Sequence, residues 1–116
     1  MDKEATDTFE HAIRLAEAAR SQDPRDSYAN SDLALYYAKT NRPELALERL
    51  GTAITLAPNN GDILAAAAEA YELIGQRDKA IEFIGRSLKA GTKPRQLQRN
   101  PQLHELLKDS RVQALF

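Results

Sequence analysis

Apolar side chains recur along this chain at spacings of three and four residues, which is the spacing of one face of an α-helix. The first clear set stands at Leu33, Ala34 and Tyr37, and Asn41-Arg42 interrupts the pattern before it resumes. No segment alternates apolar and polar residues with the two-residue period of a strand. The pattern therefore predicts an all-α chain without a sheet.

Proline, aspartate and glycine mark the expected helix ends. Pro43 stands where a second helix would begin, a position that suits proline because the N–H there has no helical partner. Asp62 is expected to cap a third helix, which Gly75 would end in a left-handed conformation. Asp78 is expected to open a fourth helix, and Gly91 to close it. These signals predict two pairs of helices with short connections.

The same residue types return every 34 positions. The recurring pairs are Ala34 and Ala68, Tyr37 and Tyr71, Ala46 and Ala80, Glu48 and Glu82, and Gly51 and Gly85. A partial copy upstream aligns Ala12 with Ala46, Ala19 with Ala53, and Pro24 with Pro58. A fixed period of this length is typical of stacked supersecondary units, each of which buries its apolar face against the next.

Small residues at the repeated positions define the expected helix contacts. Alanines such as Ala34 and Ala46 would let two backbones approach closely, and Tyr37 would fill the adjacent gap. Gly51 and Gly85 recur inside helical patterns, where glycine costs about 1 kcal/mol relative to alanine. Their shared phase suggests a crowded contact at both positions, and recurrence by chance is the alternative.

This pattern resembles the tetratricopeptide repeat family. The span 27–60 presents the residues of the family motif at Asn30, Leu33, Ala34, Tyr37, Ala46, Leu50, Ala53 and Pro58. The span 61–94 presents them at Leu64, Ala67, Ala68, Tyr71, Ala80, Ile84, Ser87 and Thr92. The departures are the polar Asn30, the small Ala67 and the missing final proline. The resemblance implies an all-α antiparallel helix-hairpin solenoid forming a single domain over residues 1–116.

The two ends of the chain complete the expected division. Residues 1–26 match only the second helix of a repeat, and Phe9, Ile13 and Leu15 would have no partner upstream. Excision from a longer protein explains this better than an unusual cap, and self-association through that helix is a consequence to test. Residues 95–116 resemble the closing segment of many bacterial multidomain proteins with such repeats, and are expected to form a C-terminal cap.

Composition indicates an ordinary globular chain. Of its 116 residues, 42% are hydrophobic and 28% are charged. No apolar run approaches the roughly 18 residues that would span a bilayer, and residues 1–8 have no apolar stretch typical of a signal peptide. The absence of cysteine removes disulfides and thiol chemistry. A cytoplasmic location is the simplest expectation, with no membrane partner.

The net charge of −1 conceals a strong asymmetry. Residues 1–85 hold nine Lys and Arg against fifteen Asp and Glu, whereas residues 86–116 hold seven against two. The basic end is either a solvated face or a binding surface. Nucleic-acid binding would use the cations at Arg86, Lys89, Lys93, Arg95 and Arg99. The acidic remainder disfavours nucleic acid as the partner.

No motif for catalysis, metals or cofactors is present. His11 and His104 lack the second histidine or carboxylate of a metal site, and no nucleophile-elbow, phosphate-loop or dinucleotide-binding string occurs. Glu69 and Glu72 share a helix face, but paired-carboxylate chemistry needs a pocket between opposed acids. We therefore expect neither an enzyme nor a bound cofactor or metal.

The resemblance implies that the first helix of each repeat lines a concave binding groove. Carried onto this sequence, the groove positions are Tyr28, Ser31, Asp32, Leu35, Lys39, Asp62, Ala65, Ala66, Glu69, Glu72 and Leu73. Acids outnumber the single lysine, which predicts a basic or amphipathic peptide as the partner, although these residues could merely keep the groove hydrated. Asp32, Asp62 and Ala66 stand where relatives that bind acidic chaperone tails use cations or amides, which disfavours that activity.

Overall fold

A computed structural model describes residues 2–116, and every regular element in that range is helical. The long helices are α1 (Lys3–Gln22), α2 (Ser27–Lys39), α3 (Pro43–Leu56), α4 (Gly61–Ile74) and α5 (Arg77–Lys89). The C-terminal segment contains α6 (Pro94–Gln98), a 3-10 turn (Pro101–Leu103), α7 (His104–Leu107) and α8 (Ser110–Gln113). The all-α prediction is confirmed. Met1, the first residue of the predicted half repeat, lies outside the described residues.

The helices pair as the repeat predicted. Helix α2 packs most extensively on α3, and α4 on α5, so each pair forms a helical hairpin. Helices α2 and α4 begin 34 residues apart, at Ser27 and Gly61, and α3 and α5 keep the same offset. Helix α4 also packs against both α2 and α3, which joins the two hairpins side by side. The chain is therefore a helix-hairpin solenoid.

Local chemistry sets the helix ends, with one difference from the prediction. Pro43 is the first residue of α3, and Gly75 ends α4 with a left-handed φ of 91°. Asp62 does not cap α4. The cap is Asn60, whose side-chain oxygen accepts hydrogen bonds from the backbone N–H groups of Asp62 (2.9 Å) and Ile63 (3.2 Å).

The start and end of α5 agree closely with the sequence pattern. The helix begins at Arg77, one residue before Asp78, and Gly91 follows its end with a left-handed φ of 108°. Glycine adopts this conformation without the steric clash that a Cβ would produce. Gly75 and Gly91, which the sequence singled out, therefore end the two helices of the second hairpin.

Two neighbouring clusters form the core. The first joins both hairpins to the C-terminal segment, and its fully buried members include Leu50, Leu64, Ile84, Leu103, Leu106 and Val112. The second joins α1 to the first hairpin through Ile13, Leu33, Tyr37 and Ala46. The four recurring alanines, Ala34, Ala46, Ala68 and Ala80, have no exposed surface. Their burial confirms that small side chains lie at the helix contacts.

The crowded contacts expected at the two helical glycines are absent. Gly51 is exposed, and a Cβ placed on it would meet nothing within 4 Å. A Cβ on Gly85 would touch only the Leu115 side chain, at an ordinary 3.8 Å. That prediction is wrong because a shared phase along a helix does not by itself place a position at an interface.

Helix α1 covers one side of the first hairpin. Its end at Gln22 is 34 residues before the end of α3, but its start at Lys3 is six residues earlier than the repeat register requires. Ile13 is only 6% exposed, and the Phe9 ring lies 6.1 Å from that of Tyr36 on α2. Two of the three apolar side chains expected to be unpartnered are therefore covered within the chain.

A buried tyrosine fastens α1 to α2. The Tyr37 hydroxyl donates a hydrogen bond to Oε1 of Glu17 at 2.9 Å. Burial by itself raises the pKa of Glu17, but hydrogen bonds from Tyr37 and Arg20 and the positive charges of Arg20 and Arg49 lower it overall. Glu17 on α1 is therefore held as a carboxylate by a hydroxyl group on α2 and a cation on α3.

Candidate functional site

The predicted groove residues lie on two helices that pack side by side. Helix α2 holds Tyr28, Ser31, Asp32, Leu35 and Lys39, and α4 holds Asp62, Ala65, Ala66, Glu69, Glu72 and Leu73. The 3-10 turn of the C-terminal segment packs against α4 in turn. We call the surface formed by these eleven residues the α2–α4 surface.

Two members of this surface have structural roles. Ser31 is only 3% exposed, so its hydroxyl is not presented to a ligand. The Tyr28 hydroxyl accepts a hydrogen bond from the side-chain amide of Asn60 at 2.9 Å, although half of Tyr28 remains exposed. Because Asn60 also caps α4, Tyr28 connects the start of α2 to the start of α4.

Glu69 is a buried junction between three elements. Its carboxylate accepts a hydrogen bond from the Asn100 side chain at 2.9 Å and lies 3.7 Å from Nζ of Lys39. The residue is 6% exposed, and Lys39 also lies 5.5 Å from the ring centre of Phe9. Breaking a buried charge pair from one side is strongly destabilising. Glu69 and Lys39 therefore hold α2, α4 and the C-terminal segment together.

The far end of α4 is also occupied by an internal pair. Nε of Arg77 donates to Oε1 of Glu72 at 3.2 Å, and the Glu72 side chain is 17% exposed. Next to it, Leu73 is 38% exposed. The predicted acid at this end is thus neutralised within the chain, and an apolar side chain remains at the surface.

Two acids of the surface remain open. Asp32 and Asp62 are exposed, and within residues 2–116 neither carboxylate has a cation within 4.0 Å or a hydrogen-bond donor. Partial burial raises the pKa of Asp32, and repulsion from Asp26 adds to it. The negative potential of this surface therefore comes from two carboxylates without an internal partner.

A cavity of about 200 Å³ lies where α4 meets the C-terminal segment. Its lining comprises Asp62, Ala65, Ala66, Glu69, Thr92, Gln96, Leu97, Asn100 and Leu103. Four of these residues were predicted groove residues, and Leu97 and Leu103 form a buried apolar floor. We call this the α4 cavity. It is acidic at its α4 wall and apolar beneath.

Sequence reasoning missed the other wall of this cavity. Thr92 stands near the end of the second repeat, and Gln96 and Asn100 follow it, so the 34-residue pattern gives none of the three a groove position. Asparagine followed by proline, as at Asn100-Pro101, is typical of a helix start, and the Asn100 side chain does accept from the Gln102 N–H at 2.9 Å. That signal does not indicate which neighbour the segment packs against.

The described part of the chain contains neither a cluster of metal ligands nor a membrane-spanning helix. Among residues 2–116, no group of three or more His, Cys, Asp or Glu side chains is placed to hold a metal ion. In the same range, no helix is both long enough and apolar enough to cross a bilayer. The α2–α4 surface and its cavity are therefore the site to interpret.

Comparison with known proteins agrees with this architecture. A search of curated proteins finds no match to this chain. The family model described as the tetratricopeptide repeat matches residues 37–108, which is more than half of the chain. The matched span begins in α2 and ends just after α7, so it includes the complete second hairpin. The chain belongs to the tetratricopeptide repeat family.

Proposed function

We propose that this chain is a binding module whose α2–α4 surface receives a basic or amphipathic segment of another protein. Tetratricopeptide repeats generally mediate protein–protein interaction, and helical repeats of this kind are typically non-catalytic scaffolds. The finer proposal adds the chemistry of the partner. It would place cations against Asp32 and Asp62 and apolar side chains over the alanines between them.

One observation favours a basic or amphipathic partner over an acidic one. Lys39 and Arg77 neutralise Glu69 and Glu72, but among residues 2–116 no cation lies within 4.0 Å of Asp32 or Asp62. Carboxylates left open beside the half-buried Ala65, Ala66 and Leu35 favour a ligand with complementary charge and some apolar surface. An acidic tail would be repelled by the same two groups.

We also infer that the module belongs to the C-terminal part of a larger bacterial protein that works in the cytoplasm. The resemblance of residues 95–116 to closing segments of bacterial repeat proteins and the absence of cysteine support this. The parent protein would supply any catalytic activity.

Self-assembly through α1 is the competing function. Leu15 on this helix is 61% exposed, which is the largest exposure among the big apolar side chains of residues 2–116. The coverage of Phe9 and Ile13 within the chain leaves Leu15 as the residue through which a second copy would dock.

Charge reversal at the open acids tests the leading proposal. Glu69 is unsuitable because its reversal would break the contacts to Lys39 and Asn100. In the double variant Asp32→Lys and Asp62→Lys, we expect affinity for a fluorescein-labelled amphipathic peptide of Lys, Leu and Ala to fall about tenfold or more. Fluorescence anisotropy at low salt measures it.

Glu44→Lys is the matched control. Glu44 is exposed and is the second residue of α3, just as Asp62 is the second residue of α4, so both changes place a cation in the first turn of a helix. The control should leave affinity unchanged. Equal binding by wild type and the double variant, with both folded by circular dichroism, would refute the groove proposal.

A further inference from the structure

Five basic residues at the end of α5 and around α6 have no acidic partner among residues 2–116. They are Arg86 and Lys89 in the last turns of α5, Lys93 just before α6, and Arg95 and Arg99 at α6. Within residues 2–116, none of these five has a carboxylate oxygen within 4.0 Å. By contrast, Arg77 and Arg111 are both paired with acids. The charge excess at this end of the chain is therefore not neutralised internally.

Three of these cations line one open cleft. Lys93, Arg95 and Arg99, together with Pro94 and Gln96, surround about 650 Å³ of space along α6. We call this the basic cleft. No aromatic side chain lines it, so it lacks the stacking platforms on which single-stranded nucleic acids depend.

The basic cleft adjoins the α4 cavity. Gln96 lines both, with Lys93 and Arg95 on one side and, on the other, the α4 wall that carries the open carboxylate of Asp62. A chain that leaves the cavity across Gln96 therefore passes from a negative surface to a positive one. Phosphates spread along a nucleic acid would meet repulsion at Asp62, whereas a peptide can change the sign of its charge along its length.

We propose that the bound segment is bipolar: cationic and apolar where it crosses α2 and α4, and carboxylate-bearing where it enters the basic cleft. The charge order of the site fixes the direction in which the segment lies. This proposal rests on the proposed peptide-binding function and names its partner more narrowly. The cations of the basic cleft would bind these carboxylates. The cleft lies beside the α2–α4 surface and is not part of it.

Synthetic peptides test the charge order. The first probe is the Lys-Leu-Ala peptide used above. Two further probes add three glutamates through a Gly-Ser linker, one at the N-terminal end and one at the C-terminal end. We expect one of the two extended peptides to bind about tenfold more tightly than the first probe in anisotropy titrations, and the other to gain little.

Protein variants assign the gain to the cleft. The double variant Arg95→Glu and Arg99→Glu should abolish the gain without weakening the binding of the unextended cationic probe, which the added carboxylates do not repel. Arg14→Glu is the control, because Arg14 is exposed on α1 and has no carboxylate within 4.0 Å in the described range. It should preserve the gain.

The outcomes separate this inference from the proposed function. If the unextended probe binds but neither extension helps, the bipolar ligand is excluded and the groove function stands. If no probe binds, both fall together. If a ten-nucleotide RNA displaces the extended peptide and its own binding is lost in the Arg95 and Arg99 variant, the cleft is a nucleic-acid site and the inference is overturned.

Discussion

A single buried polar side chain accounts for one departure from the repeat pattern. Asn30, polar where the family motif has a large residue, is fully buried, and its amide donates to the carbonyls of Asp26 (2.9 Å) and Pro24 (3.3 Å). These bonds tie α2 to the turn that precedes it. The nitrogen of this buried amide is satisfied, whereas its oxygen has no hydrogen-bond partner within residues 2–116. The side chain therefore fixes the preceding turn at the cost of one unpaired polar atom in the core.

Gly51 should be a position at which stability can be gained. It lies inside α3 with open space around its missing Cβ. Alanine is the better helix former and restricts the unfolded chain, so Gly51→Ala should raise the free energy of unfolding by about 0.5–1 kcal/mol. Urea unfolding followed by circular dichroism at 222 nm measures the change.

Gly75→Ala provides the contrast. A side chain at a φ of 91° is strained, so this variant should lose about 1–2 kcal/mol despite equally open surroundings. A destabilised Gly51→Ala protein would reveal a close contact that the structure does not have. The pair therefore separates backbone conformation from packing.

At the scale of elements, the short helices of the C-terminal segment depend on polar end contacts. Asp109 precedes α8 and accepts from the Arg111 backbone N–H at 2.9 Å. The Arg111 guanidinium also bonds Asp109 and reaches Asp78 at the start of α5, while Arg77 lies 3.9 Å from Asp109. These charges attach the last helix to the second hairpin.

The attachment should weaken in acid. Side-chain and backbone hydrogen bonds from Arg111 lower the pKa of Asp109 to about 2. A carboxyl group whose folded pKa is lowered stabilises the folded state above its unfolded pKa of about 4, and that contribution is lost as the pH falls toward 2. In Asp109→Asn, where nothing titrates, the melting temperature should be below that of wild type at pH 7.

Thermal melts by circular dichroism across this pH range measure the difference in melting temperature between wild type and Asp109→Asn. Other carboxyl groups titrate in both proteins, so only this difference reports on Asp109. The difference should disappear between pH 4 and pH 2. A difference that stays constant, or an NMR titration that gives the Asp109 carboxyl group its ordinary pKa, would contradict the role given to Arg111.

At the scale of the whole molecule, the two ends differ in charge and in coverage. The C-terminal segment buries Leu97, Leu103 and Leu106 against the second hairpin. At the other end, α1 covers the first hairpin but leaves Leu15 exposed. If the competing function holds, copies of the chain should associate through that residue.

Mass measurement decides this point. Under the self-assembly hypothesis, Leu15→Glu should shift the chain from oligomer to monomer in light scattering at matched concentration, because a carboxylate would replace the docking side chain. Leu45→Glu, an exposed position on α3, should leave the mass unchanged. A wild-type monomer, or an oligomer unaffected by Leu15→Glu, would rule out docking through α1. Deleting residues 1–22 would be less informative because Ile13 belongs to the core.

The periodic pattern was sufficient to predict the four helices of the two hairpins and their pairing. Small residues such as Ala46 and Ala80 repeat at fixed spacing because helix contacts recur at that spacing, and both are fully buried as expected. Gly75 and Gly91 marked helix ends because the left-handed conformation has a strong residue preference. Local residue preferences and a fixed repeat spacing can be recognised directly in the amino-acid sequence.

Contacts between distant residues were decided only by the tertiary structure. The sequence suggested Glu69 as an open acid, whereas the fold brings Lys39 and Asn100 to it from 30 and 31 positions away. Likewise, nothing along the chain indicated that Gln96 would line both an acidic cavity and a basic cleft. Which charges stay open depends on the neighbours that packing supplies, and a pattern of residue types does not contain that information.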